Sequence, residues 1–343
     1  MNLLKSFFSL FLTYILFQIS SADTQCPTVP TKPQDNRLIA NQLRLVQYNA
    51  EWLFIDQYQN CPGSGCSWSN QSEAQTHMKY VSNIINDLHP DIINFCEVEG
   101  CDELNQLASL TNNQYRPYLI QGTDSATGQN VGMLTLVDPV ESLIRTEDRY
   151  GYPISGSKCG YSGSSGTQGV SKHYITKFQI NNINIAMIGA HLLAYPTDTT
   201  RCAEREAQAQ VLQNHIIELI NEGNEIIVLG DFNDFDNLVI DANNNIPNSQ
   251  VLDILKGNKG QYTGQYELSS VAQLIEKSNR YSDWYDENSD CKAESNEFSM
   301  IDHILVSSKL YSKISSAWIY HGYDEFCGTY NSDHYPIVVD FLL

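Results

Sequence analysis

Short apolar runs recur along the chain, and each ends in polar residues: Leu43–Asn49, Asp91–Cys96, Val131–Val137, His173–Ile180, Ile183–Leu192, Glu225–Gly230, Met300–Val306, Ile314–Tyr320 and Tyr335–Leu342. Their length and their Ile and Val content predict buried or half-buried strands. Two stretches carry helical spacing instead. Ala74 to His89 places Met78, Val81, Ile84, Ile85 and Leu88 on one face, and Ala203 to Glu222 does the same with Val211, Leu212, His215, Ile216, Leu219 and Ile220. Val271 to Lys277 reads as a short third helix. Strands outnumber helices, and both kinds are spread along the sequence with no repeat and no shift of composition at a boundary. That pattern predicts one domain, residues 23–343, of sheets packed face to face with helices outside.

Met1 to Ala22 reads as a secretory signal, with Lys5 as its positive start, an apolar stretch from Phe7 to Phe17, and Ser20 and Ala22 before the cut. The apolar stretch is short for a bilayer span, which needs about 20 residues. The expected location is therefore outside the cell or in the secretory lumen. An oxidising route permits disulfides among the nine cysteines, and an odd count leaves at least one thiol over. Cys61 with Cys66 suggests a stapled loop, and Cys291 with Cys327 a long-range bridge. Cys96 is open to two readings, a partner for Cys101 or a thiol buried in a strand. Asn70-Gln71-Ser72 is a glycosylation acceptor motif.

The loops look polar: Trp52 to Ser72, the Gly- and Ser-rich Gly151 to Gly169, and the Asn- and Asp-rich Asp234 to Asn248. What stands out is the chemistry at the strand ends. Asn49 and Glu51 follow the first run, Glu97 the second, His191 the fifth, and Asp231 with Asn233 the sixth. Asp302 and His303 open the Met300 run, and Asp333 and His334 precede the last. One carboxylate at a strand end is ordinary turn chemistry. Six ends offering Asn, Asp, Glu or His exceed what turns require, and strand-end loops on a rigid scaffold are where sites form.

In order, the chain carries Tyr48-Asn49-Ala50-Glu51-Trp52, Phe95-Cys96-Glu97-Val98, Gly189-Ala190-His191-Leu192, Gly230-Asp231-Phe232-Asn233-Asp234, Ile301-Asp302-His303-Ile304 and Ser332-Asp333-His334-Tyr335-Pro336-Ile337. This series resembles the endonuclease/exonuclease/phosphatase superfamily, which includes pancreatic deoxyribonuclease, abasic-site endonucleases, neutral sphingomyelinases and inositol polyphosphate phosphatases. The resemblance runs from about Leu43 to the end. It implies a four-layer α/β sandwich, two packed mixed β-sheets flanked by helices as in deoxyribonuclease I, with the site at one edge. It also implies Mg²⁺-dependent hydrolysis of phosphate esters, with Mn²⁺ or Ca²⁺ as alternative ions.

On this resemblance Asn49, Glu51, Glu97 and Asp333 are the expected metal residues, hard oxygen donors of the kind Mg²⁺ prefers. His191, Asp231, Asn233, Asp302 and His334 are the expected catalytic set. Asp302 would hold and orient His334, which serves either as base for water or as phosphate ligand. Asp231 would orient the water, Asn233 bind a phosphate oxygen, and His191 protonate the leaving oxygen. A Glu to orient His191 is not in clear register, and where the resemblance implies a phosphate-gripping Arg the nearest base is Lys172. His303, by strand alternation, faces away from Asp302. Asp234 and Asp236 suggest either a Ca²⁺ loop or a solvated one. Tyr150, Tyr152 and Tyr161 lie in a loop where they could stack on bases.

Charge then narrows the partners. With 20 basic and 40 acidic residues the net charge is −20, and signal cleavage removes Lys5 and no acid. A chain of this charge does not hold polyanions by being basic. Binding is expected to lean on a divalent ion and a local patch around Lys172. The expected activity is that of a secreted nuclease, with DNA favoured over RNA, acting as a monomer without stable membrane association. A sphingomyelinase-type lipid phosphodiesterase is the alternative, and it would need an exposed apolar hairpin, for which Trp284-Tyr285 is the nearest candidate. A non-catalytic binding protein on the same fold is the third reading.

Overall fold

A computed structural model describes residues 25–55, 67–112, 114–259, 264, 266–323 and 330–343. The signal segment, the Cys61–Cys66 loop and Cys327 lie outside the described residues. The chain runs β1 (Gln42–Leu53), α1 (Gln71–Leu88), β2 (Ile92–Val98), α2 (Cys101–Leu110), β3 (Arg116–Leu119) and β4 (Asn130–Thr135). A small hairpin follows, β5 (Tyr150–Tyr152) and β6 (Gly166–Gln168), then β7 (Lys172–Ile180), β8 (Ile183–His191), α3 (Thr199–Asn221) and β9 (Glu225–Asp231). The last part holds α4 (Val251–Leu255), β10 (Leu268–Ser270), β11 (Asp283–Trp284), β12 (Phe298–Ser299), β13 (Asp302–Ser307), α5 (Ser308–Tyr311), β14 (Ile314–Ile319) and β15 (Ile337–Leu342).

Two sheets form. One is six-stranded in the order β14-β15-β1-β2-β4-β3, the other five-stranded in the order β10-β13-β9-β8-β7. Both are mixed: β1 is parallel to β2 and antiparallel to β15, and β8 is parallel to β9 while β9 is antiparallel to β13. The strand period of two sorts the apolar side chains into layers. In β1, Leu43 and Leu45 face the other sheet, and Val46, Tyr48 and Ala50 face α1 and α2. In β9, Ile227 and Leu229 face inward, and Ile226 and Val228 pack under α3 and α4. The result is helix, sheet, sheet, helix, the four-layer sandwich.

Local chemistry explains the helices. Asn70 caps α1 by accepting from the Glu73 N–H, and the Glu73 carboxylate accepts back from Ser69, so two orphan donors are satisfied. The Asn70 side chain is thus engaged as a helix cap. The predicted apolar face is buried as expected, and His89 ends the helix in the left-handed conformation. The Val271–Lys277 segment is only a 3₁₀ turn, Val271–Leu274. Helix α2 is not among the helices expected from sequence, although Cys101, Leu104 and Leu107 lie at helical spacing on its buried face.

Disulfides join Cys26 to Cys101 and Cys159 to Cys202. The suggested Cys96–Cys101 pairing is therefore corrected: Cys96 is a free, buried thiol on the inner face of β2. Burial pushes that thiol well above its ordinary range, so it is inert. Cys291 is disulfide-bonded as well. By chain entropy, loops of 75 and 43 residues make each of the two described bridges worth about 4 kcal/mol.

Candidate active site

The same alternation that builds the core also builds the site. The inward positions are apolar through the middle of each strand and turn polar at one end. On β1 the series Leu43, Leu45 continues as Gln47 and Asn49, and on β2 Ile92 leads to Asn94. On β9 Ile227 and Leu229 lead to Asp231, on β8 Ile185 and Met187 lead to His191, and on β13 Val306 and Ile304 lead to Asp302. Polar groups from both sheets therefore converge on one edge of the sandwich.

Two of the acids do not follow plain alternation. Glu51 (φ 46°) and Glu97 (φ 65°) both occupy the left-handed region, where the β1–β2 register shifts between Asn49 and Leu53 and the β2–β4 register between Phe95 and Val98. Such bulges re-aim a side chain at a cost that the fold must absorb. Here the Glu97 carboxylate is turned toward Asn49, and the Glu51 carboxylate toward Ser67 and Asp333. The Asn49 amide donates to Glu97 Oε1 (3.3 Å) and Asp231 Oδ2 (3.0 Å), and its oxygen accepts from the Glu51 N–H (3.1 Å). Glu97 Oε2 accepts from the Trp52 N–H (3.0 Å). Glu51 accepts from Ser67, and its Oε2 accepts from the Asp333 N–H (3.0 Å).

Gly230, just before Asp231, is required by space. Its φ is +152°, and a Cβ there would lie 1.7 Å from the Ala190 carbonyl oxygen on β8. This close approach sets His191 beside Asp231, with Nε2 to Oδ2 at 3.6 Å. Asp231 Oδ1 accepts from the Asn233 N–H (2.9 Å), and the Asn233 amide donates to the Leu192 carbonyl (3.3 Å).

His334 occupies the centre. Its Nδ1 donates to Asp302 Oδ2 at 2.6 Å, while Nε2 faces Asp283 (3.6 Å), Asp333 (3.9 Å) and Asp231 (4.0 Å). Ser332 fixes its backbone by accepting from the His334 N–H and donating to the Asn49 carbonyl. Burial alone would lower the His334 pKa, but the surrounding carboxylates, Asp302 foremost, overturn that and raise it well above the ordinary value. Burial, with Asp302 nearby, pushes Asp231 up to about 7. Burial, with Glu97 nearby, pushes Glu51 up to about 7. Burial and Glu51 push Asp333 well above its ordinary value. His191 goes the other way: burial, Lys172 and His334 hold it well below its usual value, so it is neutral. A role as proton donor requires a nearby anion, such as a phosphate, to charge it.

Every site residue expected from sequence thus lies in one cluster, joined by the contacts above. The structure adds four that sequence reading missed. Tyr174 donates to Asn94 (2.7 Å), Asn94 to Gln47 (2.6 Å), and Gln47 to Asp302 Oδ1 (3.0 Å), a buried chain that crosses between the sheets and ends on the carboxylate holding His334. The inward register of Gln47 and Asn94 was the available signal. The fourth, Asp283, comes from the short strand β11, where a two-residue element leaves no pattern to read. Asp234 and Asp236 are neither metal-loop nor solvated residues. They are buried ion-pair partners of Arg205 (3.1 Å) and Lys256 (2.7 Å). His303 faces outward and meets the Asp234 carbonyl, as alternation required. Trp284 is buried and donates to Glu297 (2.9 Å), so it cannot be the tip of a membrane hairpin.

The oxygen-rich donor set suits a hard divalent cation. The carboxylates of Glu51, Glu97 and Asp333 are gathered with little positive charge among them, and Asp333 Oδ1 is buried without a hydrogen-bond partner. Asp283, Asp333 and His334 also bring ligand atoms within 4.8 Å of one another, as do Asp231, Asp302 and His334. The third such group includes Cys159 and Cys202, which are already bonded to each other.

Fold and site together define an α/β sandwich of the phosphoesterase class. The profile of the Endonuclease/Exonuclease/phosphatase family matches residues 46–334, and the chain belongs to that family. Among solved structures it is similar in fold to truncated TDP2 from Caenorhabditis elegans, at 14% identity and a TM-score of 0.52, covering 88% of this chain and 98% of that one. It is also similar to an endonuclease/exonuclease/phosphatase from Bacteroides vulgatus, at 15% identity and 0.55, covering 88% and 99%. A third likeness is to one from Beutenbergia cavernae DSM 12333, at 13% and 0.53, covering 88% and 72%. Comparison with curated proteins gives no match.

Proposed function

We propose that this protein is a secreted, divalent-metal-dependent phosphodiesterase that cuts nucleic acid, DNA in preference to RNA. The observation that carries the reading is the convergence of Asn49, Glu97, Asp231, Asp302 and His334 at one buried edge of the sandwich. Glu97, Glu51, Asn49 and Asp333 would hold the cation, Mg²⁺ in the first instance. When bound, it would neutralise phosphate charge in a cluster that otherwise repels it. His334, held by Asp302, presents its Nε2 among Asp231, Asp283 and Asp333, where it would hold a phosphate oxygen or exchange a proton with water. Asp231 accepts hydrogen bonds there, and the Asn233 amide lies on the same rim. His191, neutral and next to Asp231, would hydrogen-bond the departing oxygen. The two disulfides agree with an oxidising compartment, and no described helix is long and apolar enough to cross a membrane.

The lipid reading loses its candidate hairpin with the burial of Trp284. The deciding experiment compares duplex DNA, single-stranded DNA, RNA and sphingomyelin as substrates, each with Mg²⁺ and with EDTA. DNA cleavage that EDTA abolishes and Mg²⁺ restores is expected. Cleavage of sphingomyelin alone, or activity indifferent to metal, would overturn the proposal.

A further inference from the structure

Although 40 of 343 residues are acidic, none falls between Arg149 and Thr197. At the average density, a stretch of that length would hold about six. The acid-free segment contains Arg149, Lys158, Lys172 and Lys177, and it includes site residue His191. Lys177 is committed to Glu141 and Glu222, and buried Lys172 to Asp124 and Gln129, so two bases remain for a ligand, Arg149 and Lys158. Lys172 pairs in register with His191 on the neighbouring strand. Arg149 is exposed, and among the described residues it hydrogen-bonds to Thr167 and Gln168, while Lys158 is exposed and unpaired among them. Acids from neighbouring segments flank it, and each has a partner: Asp148 is engaged by His215, Asp124 by Lys172 and its own turn, Glu147 by Arg145, Glu204 by Arg201, and Glu206 by the Gln250 N–H.

The segment is also firmly held. The Cys159–Cys202 bridge ties the β5–β6 loop to α3, and Gln250 donates to the Gly156 carbonyl (2.6 Å). Gln208 of α3 donates to the Gly169 carbonyl and accepts from the Leu193 N–H, joining the loop before Lys172 to the loop after His191. In that second loop Tyr195 is 68% exposed and sits at φ +69°, a conformation a tyrosine rarely adopts. Buried Arg205 donates to the carbonyls of Leu193, Ala194, Tyr195 and Pro196 and so holds the ring out at the rim. Of the loop tyrosines, Tyr152 and Tyr161 pack on each other and on the bridge, which leaves Tyr150 and Tyr195 free to meet a ligand.

We propose that this acid-free arm is a preformed track for single-stranded nucleic acid, in which Arg149 and Lys158 meet backbone phosphates and Tyr195 stacks on a base beside His191. A strip with no acid in a strongly acidic protein is the complement of a polyanion, and exposed rings beside basic groups suit unpaired bases. The proposal deepens the phosphodiesterase reading by naming the form of the substrate, and it rests on that reading for the scissile position.

The test measures binding of a fluorescent single-stranded oligothymidylate to full-length His334→Ala protein in Mg²⁺, across a salt series. Adding Arg149→Ala and Lys158→Ala should weaken binding about tenfold and reduce the slope of log Kd against log salt by about 1.4, because each single-strand phosphate contact contributes about 0.7. Adding Tyr195→Ala instead should weaken binding with the slope unchanged, as loss of stacking does. In the parent background, the same arm substitutions should leave turnover of bis(p-nitrophenyl) phosphate unaltered. Unchanged oligonucleotide affinity in both arm variants overturns the track. So does arm-dependent binding to phosphatidylserine vesicles without oligonucleotide binding, which would make the arm a membrane contact. A parent protein that cleaves no diester would defeat the proposed function, while the binding series still decides the arm.

Discussion

Replacing Gln47 by Leu tests the buried chain that supports Asp302. Gln47 is fully buried, donates to Asp302 Oδ1 at 3.0 Å and accepts from Asn94 at 2.6 Å. Leucine fills similar space but leaves Asp302 Oδ1 and the Asn94 amide N–H without this partner. At about 1–3 kcal/mol for each orphaned buried group, the loss should be about 4 kcal/mol. With about 2.1 cal/mol/K of unfolding entropy per residue, that lowers Tm by about 6 °C. Asn94→Leu should cost about as much, because it orphans Gln47 Oε1 and the Tyr174 hydroxyl. The double variant is the sharper case. It removes the link between the two, orphans only Asp302 Oδ1 and the Tyr174 hydroxyl, and should be no less stable than either single variant. A double-mutant cycle by thermal and urea unfolding should therefore show a coupling of about 4 kcal/mol. Additive losses, or a Gln47→Leu protein within about 1 kcal/mol of the parent, would show that the chain does not act as a unit.

Glu97→Ala and His334→Ala should each reduce hydrolysis by about 10²-fold or more while the protein stays folded, and near-full activity in both would refute the site. Glu51 and Asp231 titrate near 7 when folded and near 4 when unfolded, so the folded state binds extra protons between those values. The stability gained from that protonation is present at pH 4 and fades as pH rises through 7. Mg²⁺ should therefore raise Tm more at pH 8 than at pH 5, and an equal or reversed effect would refute the cation assignment. Gly230→Ala should lower Tm by several degrees and reduce activity further, since its Cβ would strike the Ala190 carbonyl. Unchanged melting would show that β8 can give way.

Much of the fold was legible because it is written in strand periodicity. Each of the predicted apolar runs corresponds to a strand, with ends shifted by a few residues. The strand-end polar residues were legible for the same reason, since period two carries a face on to its last residue. What was hidden depends on contacts distant in sequence. Gln47 and Asn94 look like isolated polar interruptions until the sheets stack and bring Asp302 to Gln47. The side chains of Glu51 and Glu97 were readable as chemistry, but the bulges that aim them were not. Asp234 and Asp236 looked solvated because their partners, Arg205 and Lys256, belong to helix α3 and the end of α4. The Cys159–Cys202 bridge likewise joins a loop to a helix that sequence spacing does not relate.

The free thiol of Cys96 bears on how the protein can be made. In an unfolded chain, Cys96 is the nearest thiol to Cys101, whereas the native partner, Cys26, is 75 residues away. Loop closure therefore favours the wrong pair first. Only the docking of β2 against the second sheet removes Cys96 from the competition. The order of events then matters more than the strength of the oxidant: folding with thiols reduced, followed by slow oxidation, should yield the native bridge, and early oxidation should trap an isomer. That isomer would tie the start of α2 to the strand that carries Glu97.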